Sequence, residues 1–325
     1  MSTIEKAAAK LAARQQARGS PSVAAAEGVP SRLGAIAADR ASASRSVGAP
    51  PLALARTRLC TIDVDSLRER GYLVPDAPRS QLAQEMRRIK RPLLLNIQKA
   101  QAETQAQPQD QPLVDPPANL IMITSALPGE GKTFTAINLA MSVAAELNRH
   151  VLLVDADVAR GDVARQLRIE PARGLSDLLQ EDHHLAEDGV LSSNVEGLSV
   201  LLGGSHAEHV DELFASEMMH VVMRSLAEMD PTRVVIVDAP PLLATTEAAV
   251  LARQVGQVVL VVEANKTPQD TVAQAIAQLE GCSNVSLVLN KTTGKSASGY
   301  GYGYGYGSEN TGEAGGSAYR RAEAG

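Results

Sequence analysis

The residues best suited to chemistry in this chain are Lys132 and Thr133, which close the stretch Ala126-Leu127-Pro128-Gly129-Glu130-Gly131. Glycines let such a loop curl until its backbone N–H groups converge, and a helix starting there adds the positive end of its dipole. The chemistry is capture of a phosphate chain. Residues Pro128, Gly129, Glu130, Gly131, Lys132, Thr133 and Phe134 form the cradle, Lys132 reaches the terminal phosphates, and the Thr133 hydroxyl holds Mg²⁺. Ala126 stands where the strict pattern has glycine. The bland alternative is a glycine-bearing turn that binds nothing.

Three carboxylates join this set. Asp155 and Asp157 follow the aliphatic run Val151-Leu152-Leu153-Val154, and Asp238 follows Val234-Val235-Ile236-Val237. At a strand end beside a phosphate loop, such residues hold Mg²⁺ directly or through water, and one that faces the terminal phosphate can orient or deprotonate an incoming hydroxyl. Alone, an aspartate ending a strand is more often a turn or cap residue; the combination carries the reading. Asn290 and Lys291 end the last aliphatic run, where Asn290 either meets an adenine or caps a loop. His183-His184 lies among acidic residues and reads as a solvated loop rather than a metal site.

These residues need strands to carry them. Aliphatic runs predict strands over 120–124, 151–155, 198–202, 234–238, 257–262 and 285–290. Helices are expected over 132–147, 162–167, 175–179, 211–228, 247–254 and 269–279. The alternation predicts an α/β fold of the P-loop NTPase class: a doubly wound, mostly parallel sheet flanked by helices, with ligands beyond the strand C-termini and disordered N- and C-terminal tails. Ahead of it, residues 79–91 read as a helix, with Pro92 either a kink or the first turn of a following helix. Glu85, Arg88 and Arg91 lie on one side of it, able to pair internally or to face a neighbouring subunit. Residues 101–117 read as a loop or a frayed helix end.

Composition agrees. Hydrophobic residues make up 44% of the 325, aromatics only 2%, so the core is aliphatic, as parallel sheets are. Two cysteines give neither a metal spacing nor a disulfide framework, which suits a reducing cytosol. No run is long and apolar enough to span a bilayer, and no signal peptide is visible. Residues 1–100 hold 17 Lys and Arg against 8 Asp and Glu, whereas the remainder holds 14 against 29. A basic front end suits an anionic surface or acidic partner, or is simply a solvated tail. Three segments result: 1–53, disordered, with a short helix at 2–18; 54–293, the P-loop domain; and 294–325, a flexible tail. In that tail Gly299 to Gly307 alternates strictly with Tyr300, Tyr302, Tyr304 and Tyr306, and Tyr319 follows.

The motifs resemble those of the bacterial tyrosine kinases of the P-loop type, especially the ATP-binding proteins of exopolysaccharide and exosortase-associated loci. Ala126 to Thr133 matches the family's Walker A, Val151 to Asp157 its Walker A′, and Asp238-Ala239-Pro240-Pro241 its Walker B. Glu85, Arg88 and Arg91 match its ring-forming helix, and the tyrosine repeat its phosphoacceptor cluster. Ala159 stands where the family often has arginine, and Arg160 follows.

The resemblance implies ATP and Mg²⁺ as cofactors, with Lys132, Asp155 and Asp157 catalytic and Thr133, Asp155, Asp157 and Asp238 at the metal. It implies autophosphorylation of Tyr300, Tyr302, Tyr304, Tyr306 and Tyr319 in trans within a ring-type homo-oligomer. It further implies a membrane activator of the chain-length-determinant type, a cognate phosphatase, no nucleic acid, and a cytoplasmic protein held at the inner membrane face by its partner. The alternatives are a partitioning or positioning P-loop ATPase, against which Leu127 stands in place of that group's signature lysine, and a nucleotide-gated scaffold that transfers nothing.

Overall fold

The computed structural model describes residues 58–75, 79–106, 116–180, 186–205, 210–230 and 232–292. The expected helix at 2–18, His183-His184 and the tyrosines of 294–325 lie outside them. Eight strands form one sheet: β1 (Arg58–Cys60), β2 (Leu120–Ser125), β3 (His150–Asp155), β4 (Val190–Ser193), β5 (Leu198–Leu201), β6 (Arg233–Asp238), β7 (Gln257–Glu263) and β8 (Val285–Asn290). Their order is β1-β4-β5-β3-β6-β2-β7-β8. Every neighbouring pair is parallel except β4 with β5.

The helices are α1 (Val64–Glu69), α2 (Gln81–Ala106), α3 (Lys132–Ala144), α4 (Asp162–Leu167), α5 (Leu175–Leu179), α6 (Val210–Phe214), α7 (Glu217–Glu228), α8 (Glu247–Ala252) and α9 (Gln269–Gln278). Strand alternation divides the core. Ile121, Ile123, Val234 and Ile236 point to the face covered by α1 to α4. Leu120, Met122, Val235 and Val237 point to the face covered by α5 to α9. Both faces are buried, so the central strands are aliphatic throughout rather than alternating.

Several expectations need correction. The helix expected over 79–91 runs on through Pro92 to Ala106. A proline costs the helix one N–H bond, but Leu93, Leu94 and Ile97 just beyond it are buried, and the buried Gln257 amide donates to the Leu93 carbonyl (3.1 Å). Residues 211–228 form two helices rather than one, because Ser216 leaves the helical conformation and its hydroxyl caps α7 by accepting from the Met219 N–H. The helix expected to reach 147 ends at Ala144. Strands β1 and β4 were not expected.

The segment before α2 is strapped across the α2–α4 face. The Leu73 N–H donates to Asn138 Oδ1 of α3 (2.6 Å), and the Tyr72 ring packs on Phe134 with centroids 4.9 Å apart. Arg70 reaches the Gln166 carbonyl (2.5 Å) on α4. Helix α2 is pinned to α3 by Lys90. Its ammonium donates to the Ser142 carbonyl (2.5 Å) and pairs with Glu146 (2.9 Å), placing a cation at the negative end of α3.

Candidate active site

Parallel pairing sets Asp155 and Asp238 directly opposite one another at the ends of β3 and β6. Strand β2 lies on the other side of β6, so the loop it feeds, 126–131, rises beside both carboxylates. The chain leaving β6 runs along that loop: Leu242 N–H donates to the Ser125 carbonyl (2.8 Å) and Leu243 N–H to that of Ala126 (3.2 Å). Gly129 and Gly131 adopt φ of +86° and +97°, a region that side chains resist. Gly131 ends the loop and α3 begins at Lys132.

Four charged side chains meet there. Lys132 Nζ lies 2.7 Å from Asp157 Oδ2 and 3.5 Å from Asp238 Oδ1. The Thr133 hydroxyl donates to Asp238 Oδ2 (2.6 Å). Asp155 accepts from two backbone amides, those of Asp157 and Val163, both at 3.2 Å. All four charged groups are buried, so three carboxylates share one cation. Burial, reinforced by the charge on Asp238, pushes the Asp155 carboxyl up to about 8. Burial likewise raises Asp238 to about 6, against the pull of Lys132 and the Thr133 hydroxyl. Burial alone would lower Lys132, but Asp238 and Asp157 together more than offset it, and the ammonium is raised above its ordinary value. Asp157 Oδ2 meets Lys132 as an ion pair without a hydrogen bond in line with it.

This crowding suits an arriving cation. The hard oxygens of Thr133, Asp238 and Asp157 match what Mg²⁺ accepts. Among the described residues no group of three or more His, Cys, Asp or Glu side chains is arranged to hold a metal ion.

The structure thus brings together Lys132, Thr133, Asp155, Asp157 and Asp238. Phe134 lies in the first turn of the same helix and turns its ring to Tyr72 on the strap. Asn290 lies beside the loop, and its Nδ2 donates to the Glu130 carbonyl (2.8 Å). Sequence reasoning missed the rest of this outer clasp. The buried Glu130 carboxylate accepts from the N–H groups of Leu127 (2.6 Å) and Glu263 (3.2 Å) and from the Thr267 hydroxyl. Lys291 Nζ donates to the Gly129 carbonyl (2.7 Å) and pairs with Glu263 (3.1 Å). Only the position of Asn290 and Lys291 at a strand end hinted at this. Glu85, Arg88 and Arg91 are exposed on α2, where Gln81 donates to Glu85 (2.9 Å) and both arginines line a depression that Leu95 and Glu146 also border.

Comparison with known proteins gives the family. Residues 118–291 match the family model described as "AAA domain". The tyrosine-protein kinase YwqD of Bacillus subtilis (strain 168) is 36% identical over 170 residues, which is 52% of this chain and 70% of YwqD. The tyrosine-protein kinase etk of Escherichia coli (strain K12) is 32% identical over 186 residues, 56% of this chain but only 25% of etk. Among solved structures, the BceF tyrosine kinase domain has a TM-score of 0.52 at 25% identity, covering 71% of this chain and 91% of that one. The chimerical protein CapA2B2 has a TM-score of 0.52 at 27% identity, covering 71% and 92%. The chain belongs to the bacterial tyrosine kinases, a P-loop family whose nucleotide-binding core it contains.

Proposed function

We propose that this chain transfers the γ-phosphoryl group of ATP to tyrosines of its own C-terminal segment, Tyr300, Tyr302, Tyr304, Tyr306 and Tyr319, with one subunit serving a neighbour. The observation that carries the reading is the convergence of Lys132, Thr133 and three buried aspartates on one glycine-shaped loop, in a chain whose relatives are named tyrosine kinases.

The reaction asks little covalent chemistry of the protein. Lys132 leaves Asp157 for the β- and γ-phosphate oxygens. The phenol oxygen bonds to the γ-phosphorus as the bond to the β–γ bridging oxygen breaks, and ADP departs. The phenolic proton passes to an aspartate. Asp157 is the better placed, because both Asp155 oxygens already accept backbone amides, whereas Asp157 Oδ2 is held by the Lys132 ammonium, which leaves it for the nucleotide. Thr133 and Asp238 would hold Mg²⁺, which supplies neutralisation of phosphate charge when bound.

Several tyrosines in one short segment raise the local phenol concentration. We further propose a ring-type homo-oligomer through Glu85, Arg88 and Arg91, a role in exopolysaccharide production, and attachment at the inner membrane face through a separate membrane partner. A phosphatase would reset the segment. No helix among the described residues is long and apolar enough to cross a membrane.

The test is phosphotyrosine blotting and mass spectrometry of the full chain, purified from a host without tyrosine kinases and incubated with MgATP. The unaltered chain gains phosphotyrosine in 294–325, and folded Lys132→Met does not. Equal phosphotyrosine in both rejects the reading; ATP binding without any phosphotyrosine leaves a nucleotide-gated scaffold.

A further inference from the structure

The outer clasp of the phosphate loop has a directional consequence. In a trans peptide the C=O and the following N–H point in opposite directions. The Gly129 carbonyl is held on Lys291 Nζ at 2.7 Å, which turns the Glu130 N–H the other way. The Glu130 carbonyl is held on Asn290 Nδ2 at 2.8 Å, which turns the Gly131 N–H likewise. Both carbonyls are held by residues of one strand end, so both amides face away from it, and converging loop amides of this kind suit an anion.

The holders are themselves held. Glu263 grips Lys291 at 3.1 Å, and the Glu263 N–H closes back onto the Glu130 carboxylate at 3.2 Å. Lys291 adopts φ of +55°, which turns the chain at the end of β8. The fit is close: a Cβ on Gly131 would lie 2.1 Å from Asn290 Nδ2.

We propose that Asn290 and Lys291 are positioning residues that aim the Glu130 and Gly131 amides at the phosphate chain of a nucleotide, whatever its base. The proposal rests on the nucleotide reading above, and it assigns to Asn290 a role different from an adenine contact. An adenine contact acts on the base alone. An aimed amide acts on any polyphosphate.

The experiment is calorimetric titration of the full chain with MgATP, MgGTP and magnesium tripolyphosphate, on the unaltered protein and on Asn290→Ala, Lys291→Met and Lys291→Arg. Asn290→Ala and Lys291→Met weaken all three ligands by a similar factor, about tenfold or more for each lost charge-assisted or aimed contact. Lys291→Arg, which keeps a donor, stays near the unaltered affinity. Loss confined to MgATP in Asn290→Ala assigns that residue to the base and overturns the proposal, as do unchanged affinities in both variants. Should Asn290→Ala fail to fold, Lys291→Met carries the test, because that side chain is 46% exposed. An unaltered chain that binds none of the three overturns the nucleotide reading, and the proposal with it.

Discussion

Lys132→Met removes the ammonium of the phosphate loop, and it perturbs more than binding. The ammonium is the one cation among three buried carboxylates, with Asp157 at 2.7 Å and Asp238 at 3.5 Å. Its raised pKa keeps it charged well beyond neutrality, so in the unaltered chain this contribution persists across pH 6 to 8.5. The carboxyls behave oppositely. Folded Asp155 keeps its proton up to about pH 8 and folded Asp238 up to about 6, while unfolded aspartates release theirs near 4. Stability of the unaltered chain therefore declines as pH rises through this window. With methionine at 132 the folded site holds roughly one proton more, and the decline steepens by about 1.4 kcal/mol per pH unit. The deficit of the variant is small near pH 6 and approaches the ~3–5 kcal/mol of an uncompensated buried charge near pH 8.5. Urea unfolding followed by circular dichroism at the two pH values measures it. A deficit that is constant or shrinks with pH would refute the idea that Lys132 neutralises these carboxylates in the folded state. Phosphotransfer by the variant is accordingly best compared at pH 7 or below.

Two further outcomes follow from the packing around α3. Lys90→Met strips the Ser142 carbonyl and Glu146 of their buried cation and lowers stability by about 1.5–3 kcal/mol, read as a lower urea midpoint with an unchanged slope. Asn138→Ala leaves the buried Leu73 N–H without its 2.6 Å acceptor, which costs about 1–3 kcal/mol; hydrogen exchange at Leu73 quickens while amides of β6 keep their protection.

The central architecture was legible because its strands are aliphatic runs, four of them (β3, β6, β7 and β8) ending in a carboxylate or amide, and a P-loop flanked by a strand and a helix admits few folds. Asp155, Asp157 and Asp238 were found by the same rule. Strands β1 and β4 were not, because Arg58-Leu59-Cys60 and Val190-Leu191-Ser192-Ser193 are short and half polar; pairing at the sheet margin makes them strands. Pro92 hid the length of α2, since nothing local announces that Leu93, Leu94 and Ile97 are buried in a distant core. The clasp on the loop was illegible for a similar reason: Glu130 and Lys291 carry no motif that joins them across 161 positions, and only the adjacency of β2 and β7, and of β7 and β8, does so.

That adjacency bears on how the protein is made. Strand β2 is flanked by β6 and β7, both encoded more than 100 residues later, and the loop it feeds is steadied from the end of β8. At ribosomal speeds the stretch from Leu120 to Asn290 takes roughly 10 to 30 s to emerge. Throughout that interval the nascent chain carries its Lys132 without β6, β7 and β8 in place, so the surroundings of that lysine can assemble only after the segment through Lys291 has left the ribosome.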